Sequence, residues 1–273
     1  MTNFQLLLLL GAGRKAIVHS AIRRSDGQTV VLKAFPAGME AVARKEFETA
    51  CLFNHRHLLR PEALTDEGIV MPFCSGRSVA SLAGTLPEAI AWQILAQTAS
   101  ALDYLKEQGY CHSAVCPANI LWDGDHFLLA DFGACHPLQG RIGPEEKPED
   151  FRYVAPEGAL NDRSDIWSLG ASVFTLVLGN PVFNGLGGKA QRAQSPVPYL
   201  RKSMPELSAL LCRCLAFAPE DRPSAKDLYV SAQAGLKQCL ENRRERALKP
   251  ETERNGREAR QDSGFWPDTM TDN

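Results

Sequence analysis

The chain has 273 residues, 44% of them hydrophobic, 23% charged and 8% aromatic, with a formal net charge of −2. Such a length suits one large domain or two lobes sharing a hinge, and globular-average apolar and charged fractions exclude wholesale disorder. Thirty basic against 32 acidic residues leave no electrostatic footprint for nucleic acid, and no apolar run is long enough to read as a membrane span. Eight cysteines without a CxxC pair suggest reduced thiols and a cytoplasmic setting.

In chain order, the first 35 residues read as three strands, at 6–10, 17–23 and 29–35, rich in Leu, Ile and Val. The run of five leucines at 6–10 lacks the basic flank and small-residue cleavage site of a secretion signal, so a buried strand is expected. Asp26-Gly27 is a tight hairpin signal between the second and third strands. A helix is expected over 40–53, with Ala43, Phe47, Ala50 and Cys51 on one stripe, followed by strands near 58–64 and 68–73. From Thr85 the pattern turns helical. Thr85 and Glu88 have capping-box spacing, and the stripe Ile90, Ile94, Ala101, Leu102 and Leu105 stops at Gly109. Short strands flank the turn Asp123-Gly124-Asp125, and further helices are expected at 164–178, 205–217 and 224–239. Of the 33 residues from 241 to 273, 15 are charged, which reads as a solvated tail opening with a helical extension.

Chemistry enters with Gly11-Ala12-Gly13, a turn between strands whose backbone amides can approach phosphate oxygens without a side chain intervening. Val31-Leu32-Lys33 then puts one lysine inside an apolar strand, where it must reach solvent, a carboxylate or a phosphate. Glu46 and Glu48 on the following helix are the candidate partners. The decisive stretch is Cys111-His112-Ser113-Ala114-Val115-Cys116-Pro117-Ala118-Asn119-Ile120-Leu121, followed by Asp131-Phe132-Gly133, Ala155-Pro156-Glu157, Asp165-Ile166-Trp167-Ser168-Leu169-Gly170 and Asp221-Arg222-Pro223.

Taken in this order, these segments resemble the eukaryotic-like Ser/Thr protein kinase family from about residue 4 to residue 236. The resemblance implies an α+β, bilobal fold: a small sheet-plus-helix lobe over 1–74, a larger helical lobe over 75–240, and the tail 241–273. It implies ATP and Mg²⁺ as ligands. Gly11 and Gly13 match the first two glycines of the phosphate-covering loop, Ala16 replaces the third, and Val18 matches the valine over the adenine. Lys33 matches the phosphate-holding lysine and Glu46 its helix partner. Met71 falls at the gatekeeper, with Pro72-Phe73-Cys74 as the hinge against the adenine edge. Asn119 and Asp131 match the magnesium ligands, and Val31 and Leu121 complete the nucleotide-binding set. Glu157 and Arg222 match a buried ion pair, and Asp165 the aspartate beneath the catalytic loop.

The departures carry equal weight. The family's loop reads His-Arg-Asp-Leu-Lys-Pro-x-Asn, and here the arginine, catalytic aspartate and lysine are Ser113, Ala114 and Cys116. A general base contributes about 10² to 10⁴ in rate, and alanine cannot act as one. The segment 134–152 has Tyr, Ser and Thr at none of its positions, and Asp150 stands where the family places a substrate-loop threonine. The expectation is a pseudokinase: a regulatory or scaffolding module that binds Mg·ATP and a protein partner with little or no phosphotransfer. Its rivals are a weakly active kinase or nucleotidyl transferase using Lys33, Asn119 and Asp131, and a nucleotide-free scaffold. Cys111, His112, Cys116, Cys135 and His136 raise a separate choice between a thiolate metal site or redox pair and simple packing, with His112 on Phe132. In the tail, Gly264-Phe265-Trp266-Pro267 reads as a docking peptide or as a stray aromatic pair.

Overall fold

The structure is a computed structural model that describes residues 2–248 apart from 77, 139–149, 159–160, 192–196, 198–199 and 201–202. The acidic stretch 144–149 and the aromatic tail motif therefore lie outside the described residues.

Strands β1 (Phe4–Ala12), β2 (Ile17–Arg23), β3 (Thr29–Ala34), β4 (Ala63–Thr65) and β5 (Gly68–Pro72) form one antiparallel sheet in the order β1-β2-β3-β5-β4. Helix α1 (Glu40–Cys51) is inserted between β3 and β4. The β2–β3 hairpin turns at Asp26-Gly27, where Gly27 takes a positive φ of 73° and the Asp26 carboxylate accepts from Gln28 N at 3.0 Å. Inside the sheet, Phe4, Ala21, Val30, Leu32 and Val70 make a small core.

The leucine run forms a strand, but not a buried one. Leu6 to Leu10 are 53, 46, 59, 62 and 41% exposed, because β1 is the sheet edge and pairs only with β2, through an irregular register between Leu6 and Gly11. The expected strand at 58–64 is likewise shortened to β4. Upstream of it Leu58 makes an isolated bridge to Leu129, and Leu59 N donates to Leu129 O at 2.9 Å, tying the two halves of the molecule together.

The second half is built around α2 (Glu88–Glu107), with 13 of 20 residues buried, and α3 (Asp162–Leu178), with 14 of 17 buried, and α4 (Pro205–Cys214) and α5 (Ala225–Leu248) pack against them. The Thr85–Glu88 capping box does not form. Pro87 takes the cap position, Thr85 Oγ1 donates instead to Leu82 O at 3.1 Å, and Glu88 accepts from Trp92 Nε1. A true capping box opens α3, where the Asn161 side chain accepts from Arg163 N and Ser164 N and Ser164 Oγ accepts in return from Asn161 N. Helix α4 stops at Cys214 rather than Phe217, whereas α5 runs nine residues past Cys239 to Leu248, so the charged region opens as helix. Among the described residues no helix is long and apolar enough to cross a membrane. Short ladders β6 (Tyr110–Cys111) with β9 (His136–Pro137), and β7 (Ile120–Trp122) with β8 (Phe127–Leu129), line the junction with the sheet. The molecule is thus α+β and bilobal, with a cleft between sheet and helices.

Candidate functional site

Lys33 is the point on which the elements converge. On β3 it registers with Val18 of β2 and Ile69 of β5, and its Nζ donates to Glu46 Oε1 of α1 at 2.6 Å and to Asp131 Oδ1 at 2.8 Å. One ammonium therefore ties the sheet, the helix and the segment after β8. Of the two candidate partners the structure takes Glu46, which is buried, while Glu48 is exposed. Two glycines make this approach possible. A Cβ on Gly68, whose φ is +136°, would lie 2.2 Å from Lys33 O, and one on Gly133 would lie 3.0 Å from Glu46 Oε2.

Burial favours a neutral lysine, but the Asp131 and Glu46 carboxylates outweigh it and hold Lys33 above the ordinary lysine range. For Asp131, burial is overcome by Lys33 and by the Gly133 N–H, which bring it down to about 2. Burial pushes Glu46 up to about 7, with Lys33 opposing and Asp131 adding to the rise, so the lysine charge is balanced chiefly by Asp131. Asp131 has φ +70° and Ser113 φ +67°, left-handed conformations that cost a side-chain-bearing residue energy and that here occur at the cleft.

Around Lys33 opens a cavity of about 800 Å³. The structure brings all eleven residues singled out above into its lining: Gly11, Gly13, Val18, Val31, Lys33, Glu46, Met71, Phe73, Asn119, Leu121 and Asp131. The glycine turn closes through Gly13 N donating to Ala16 O at 2.9 Å. Sequence reasoning placed Cys74 in the hinge, which the structure also brings into the lining, but missed Leu10, Ala130, Asp150 and Arg152 there. Leu10 was legible as the residue preceding Gly11. The last two were not, since they arrive from a distant segment.

The floor is a loop whose backbone is held from below. Asp165, at the start of α3 and buried, accepts from His112 N and Ser113 N, both at 2.7 Å. Asn119 closes the far end, its Nδ2 donating to Ala114 O at 2.8 Å while its backbone carbonyl accepts from Ala130 N. Side chains at 113, 114 and 116 bring no charge. Ser113 Oγ instead donates to Cys111 Sγ at 3.4 Å and lies 3.3 Å from His136 Nδ1, and Cys111 Sγ sits 3.2 Å from His136 Nε2. Burial pushes the Cys111 and Cys116 thiols up to about 12, which favours protonated sulfur over thiolate. Among the described residues no group of three or more His, Cys, Asp or Glu is arranged to hold a metal ion by itself. His112 packs edge-on against Phe132 with centroids 5.3 Å apart, and Phe132 stacks on Phe53 at 5.8 Å, carrying an aromatic chain from one lobe to the other.

Below the loop, Arg222 is fully buried and forks onto both oxygens of Glu157 at 2.8 Å, donating also to the carbonyls of Ala216, Arg163 and Phe217. Asp150, at the cleft mouth, accepts from Arg152 N at 3.2 Å, Nε at 2.8 Å and Nη2 at 2.6 Å.

Comparison with known proteins agrees with this architecture. The chain is 30% identical over 200 residues to serine/threonine-protein kinase ATG1a of Arabidopsis thaliana, covering 64% of this chain and 31% of that protein. It is 32% identical over 193 residues to serine/threonine-protein kinase ppk11 of Schizosaccharomyces pombe, covering 64% and 60%. It is 27% identical over 266 residues to serine/threonine-protein kinase ULK3 of Mus musculus, covering 84% and 54%. The matches span less than two thirds of the length of each of these relatives. Residues 4–232 match the protein kinase domain, and the chain belongs to that family.

Proposed function

We propose that the protein is a pseudokinase that binds Mg·ATP in the interlobe cleft and serves as a regulatory or scaffolding module for a protein partner in the cytoplasm. Residues 1–74 and 75–240 would be the lobes that close on the nucleotide, and 241–273 a tail outside them. The observation that carries this reading is the contrast within one cavity. Lys33 lines the cavity bridged to Glu46 and Asp131, which supports its reading as a phosphate-binding cation, while the loop has Ala114 and Cys116 where a base and a cation would act. With little or no phosphotransfer from the loop's own residues, binding is what the retained groups support best.

The donor set suits a hard divalent cation. Asn119 donates its amide N–H to Ala114 O, which leaves its carbonyl oxygen as the acceptor end, and Asp131 lines the same cavity with a carboxylate held ionised by Lys33. An amide oxygen and a carboxylate match Mg²⁺ chemistry, with the ATP phosphates completing the shell. When bound, the ion would neutralise phosphate charge. The chain's own part is to hold the phosphates through Lys33 and the amides around Gly11 and Gly13, and to seat the base between Val18 and Leu121.

Thermal unfolding with ATP or ADP, with and without Mg²⁺, tests the reading. Occupancy at 100 times the dissociation constant adds about 2.7 kcal/mol. We expect a magnesium-dependent rise in melting temperature that Lys33→Ala abolishes. Identical melting curves with and without Mg·ATP would refute nucleotide binding and leave a nucleotide-free scaffold.

A further inference from the structure

Of the three charges absent from the catalytic loop, the signs of the two lost at Ala114 and Cys116 reappear in the same cavity on another element. Asp150 and Arg152 line it together with Ala114, Cys116 and Asn119, although they belong to the segment that leads into Ala155-Pro156-Glu157. Three carboxylates line this cavity among the described residues, and Glu46 and Asp131 are both bound to Lys33. Asp150 is the third, and it is on the loop's side. The other acidic residues near the loop in sequence, Asp123 and Asp125, are not in the lining, and Asp123 Oδ1 is occupied by the backbone of Asp125 and His126.

Asp150 is not a loose surface acid. It caps the short 3-10 turn Phe151–Tyr153 by accepting from Arg152 N, and the Arg152 guanidinium forks onto both carboxylate oxygens. Its side chain keeps 28% exposure, so a small acceptor can reach it from the cleft. The Asp150 charge is felt at the loop: burial is the main cause of the raised Cys116 thiol, and Asp150 adds to it. A pair of one negative and one positive side chain has been lost at 114 and 116, and a pair of the same two signs is presented at 150 and 152.

We propose that Asp150 is the acceptor-side carboxylate of this cleft, orienting an acceptor hydroxyl or water and taking its proton, with Arg152 supplying the positive charge missing at Cys116. The step rests on the reading that the cleft binds Mg·ATP. The acceptor O–H gives its proton to the Asp150 carboxylate, its oxygen bonds to the γ-phosphorus, and the bond from that phosphorus to the β-phosphate oxygen breaks, leaving its electron pair on ADP. With water as acceptor the products are ADP and inorganic phosphate.

The test uses the full chain and two readouts. The first is thermal unfolding with Mg·ADP, alone and with aluminium fluoride, a planar stand-in for the transferring phosphoryl group. The second is phosphate release from Mg·ATP. We expect Mg·ADP to stabilise the wild type and Asp150→Asn equally, and aluminium fluoride to add a further rise in the wild type only. Phosphate release should fall on the order of 10²-fold in Asp150→Asn. Adding Ala114→Asp to that variant should restore both signals by returning a carboxylate to the loop. Retention of the fluoride increment and the release rate in Asp150→Asn would overturn the role of Asp150. So would a wild type that binds Mg·ADP and shows neither signal. Absence of stabilisation by any nucleotide would overturn the nucleotide reading as well.

Discussion

The sheet side of the cleft and the loop side differ in what keeps them in shape. On the sheet side, side-chain charges do the holding: Lys33 meets Glu46 and Asp131 within 3 Å, and three elements meet at one ammonium. On the loop side, residues 112–119 contain no charged side chain, yet the backbone is pinned by Asp165 at one end and Asn119 at the other. A loop held through its own N–H and C=O groups keeps its path when its side chains change. That is why Ser113, Ala114 and Cys116 can occupy a kinase loop without unravelling it. The lesson is that the loop's geometry and its transfer chemistry are separable, because different atoms carry them.

The comparison can be broken hardest from beneath. Glu157→Ala would leave the Arg222 guanidinium, whose side chain is fully buried, charged and without its carboxylate, at a cost of about 3–5 kcal/mol. Urea unfolding would read this, and a loss below 1 kcal/mol would show that the backbone carbonyls around Arg222 suffice. Next, Asp165→Ala orphans the buried amides of His112 and Ser113, at about 1–3 kcal/mol for each donor. Ala114→Asp, by contrast, changes a side chain and leaves in place the backbone carbonyl that Asn119 holds, so its unfolding midpoint should move far less than that of Asp165→Ala.

Acid sharpens the comparison further. Burial pushes His57 and His112 down to about 4, whereas both sit near 6.5 in an unfolded chain. Between those values the unfolded chain binds protons that the folded one refuses. Their stability contribution is therefore complete above about pH 6.5 and is lost as pH falls toward 4, with a slope of up to about 1.4 kcal/mol per pH unit for each histidine. Asp131, held down to about 2, stays ionised throughout that window. Glu46 and Asp165, which burial lifts to about 7, titrate in the same window with the opposite sign, so the test is a difference: the stability of His57→Gln relative to the wild type should rise as pH falls from 7 to 4. An unchanged difference would show that His57 is not protonated on unfolding. The smallest effect is expected at the sheet edge. Leu8→Glu, on a side chain 59% exposed, should shift stability by no more than about 0.5 kcal/mol.

Much of the cleft was legible because its residues sit in short ordered segments: Lys33 inside an apolar strand, Asn119 at the end of the His112 segment, Asp131 before Phe132-Gly133. The choice of Glu46 over Glu48 needed the helix to be docked, since half a turn separates a buried from an exposed carboxylate. Local signals misled in two places. Thr85 has the spacing of a cap, but the preceding 3-10 turn Val79–Leu82 offers its hydroxyl the carbonyl of Leu82, and Pro87 stands at the cap. The opposite error was at Asn161, where an Asn three residues before Ser164 was a readable capping box.

By itself, the sequence determined the kinase-like order of segments, the alternation of strands and helices, and the loss of charge at 113, 114 and 116, because each of these is a statement about residue types and their spacing. Tertiary structure decided the rest. Leu6 to Leu10 have the composition of a core strand and are exposed because only one neighbour pairs with β1. Asp150 has the composition of an ordinary loop acid and lines the cleft only because tertiary structure brings it to the cavity that Lys33 and Ala114 also line. Burial and proximity depend on what the rest of the chain brings alongside, and no local run of residues contains that information.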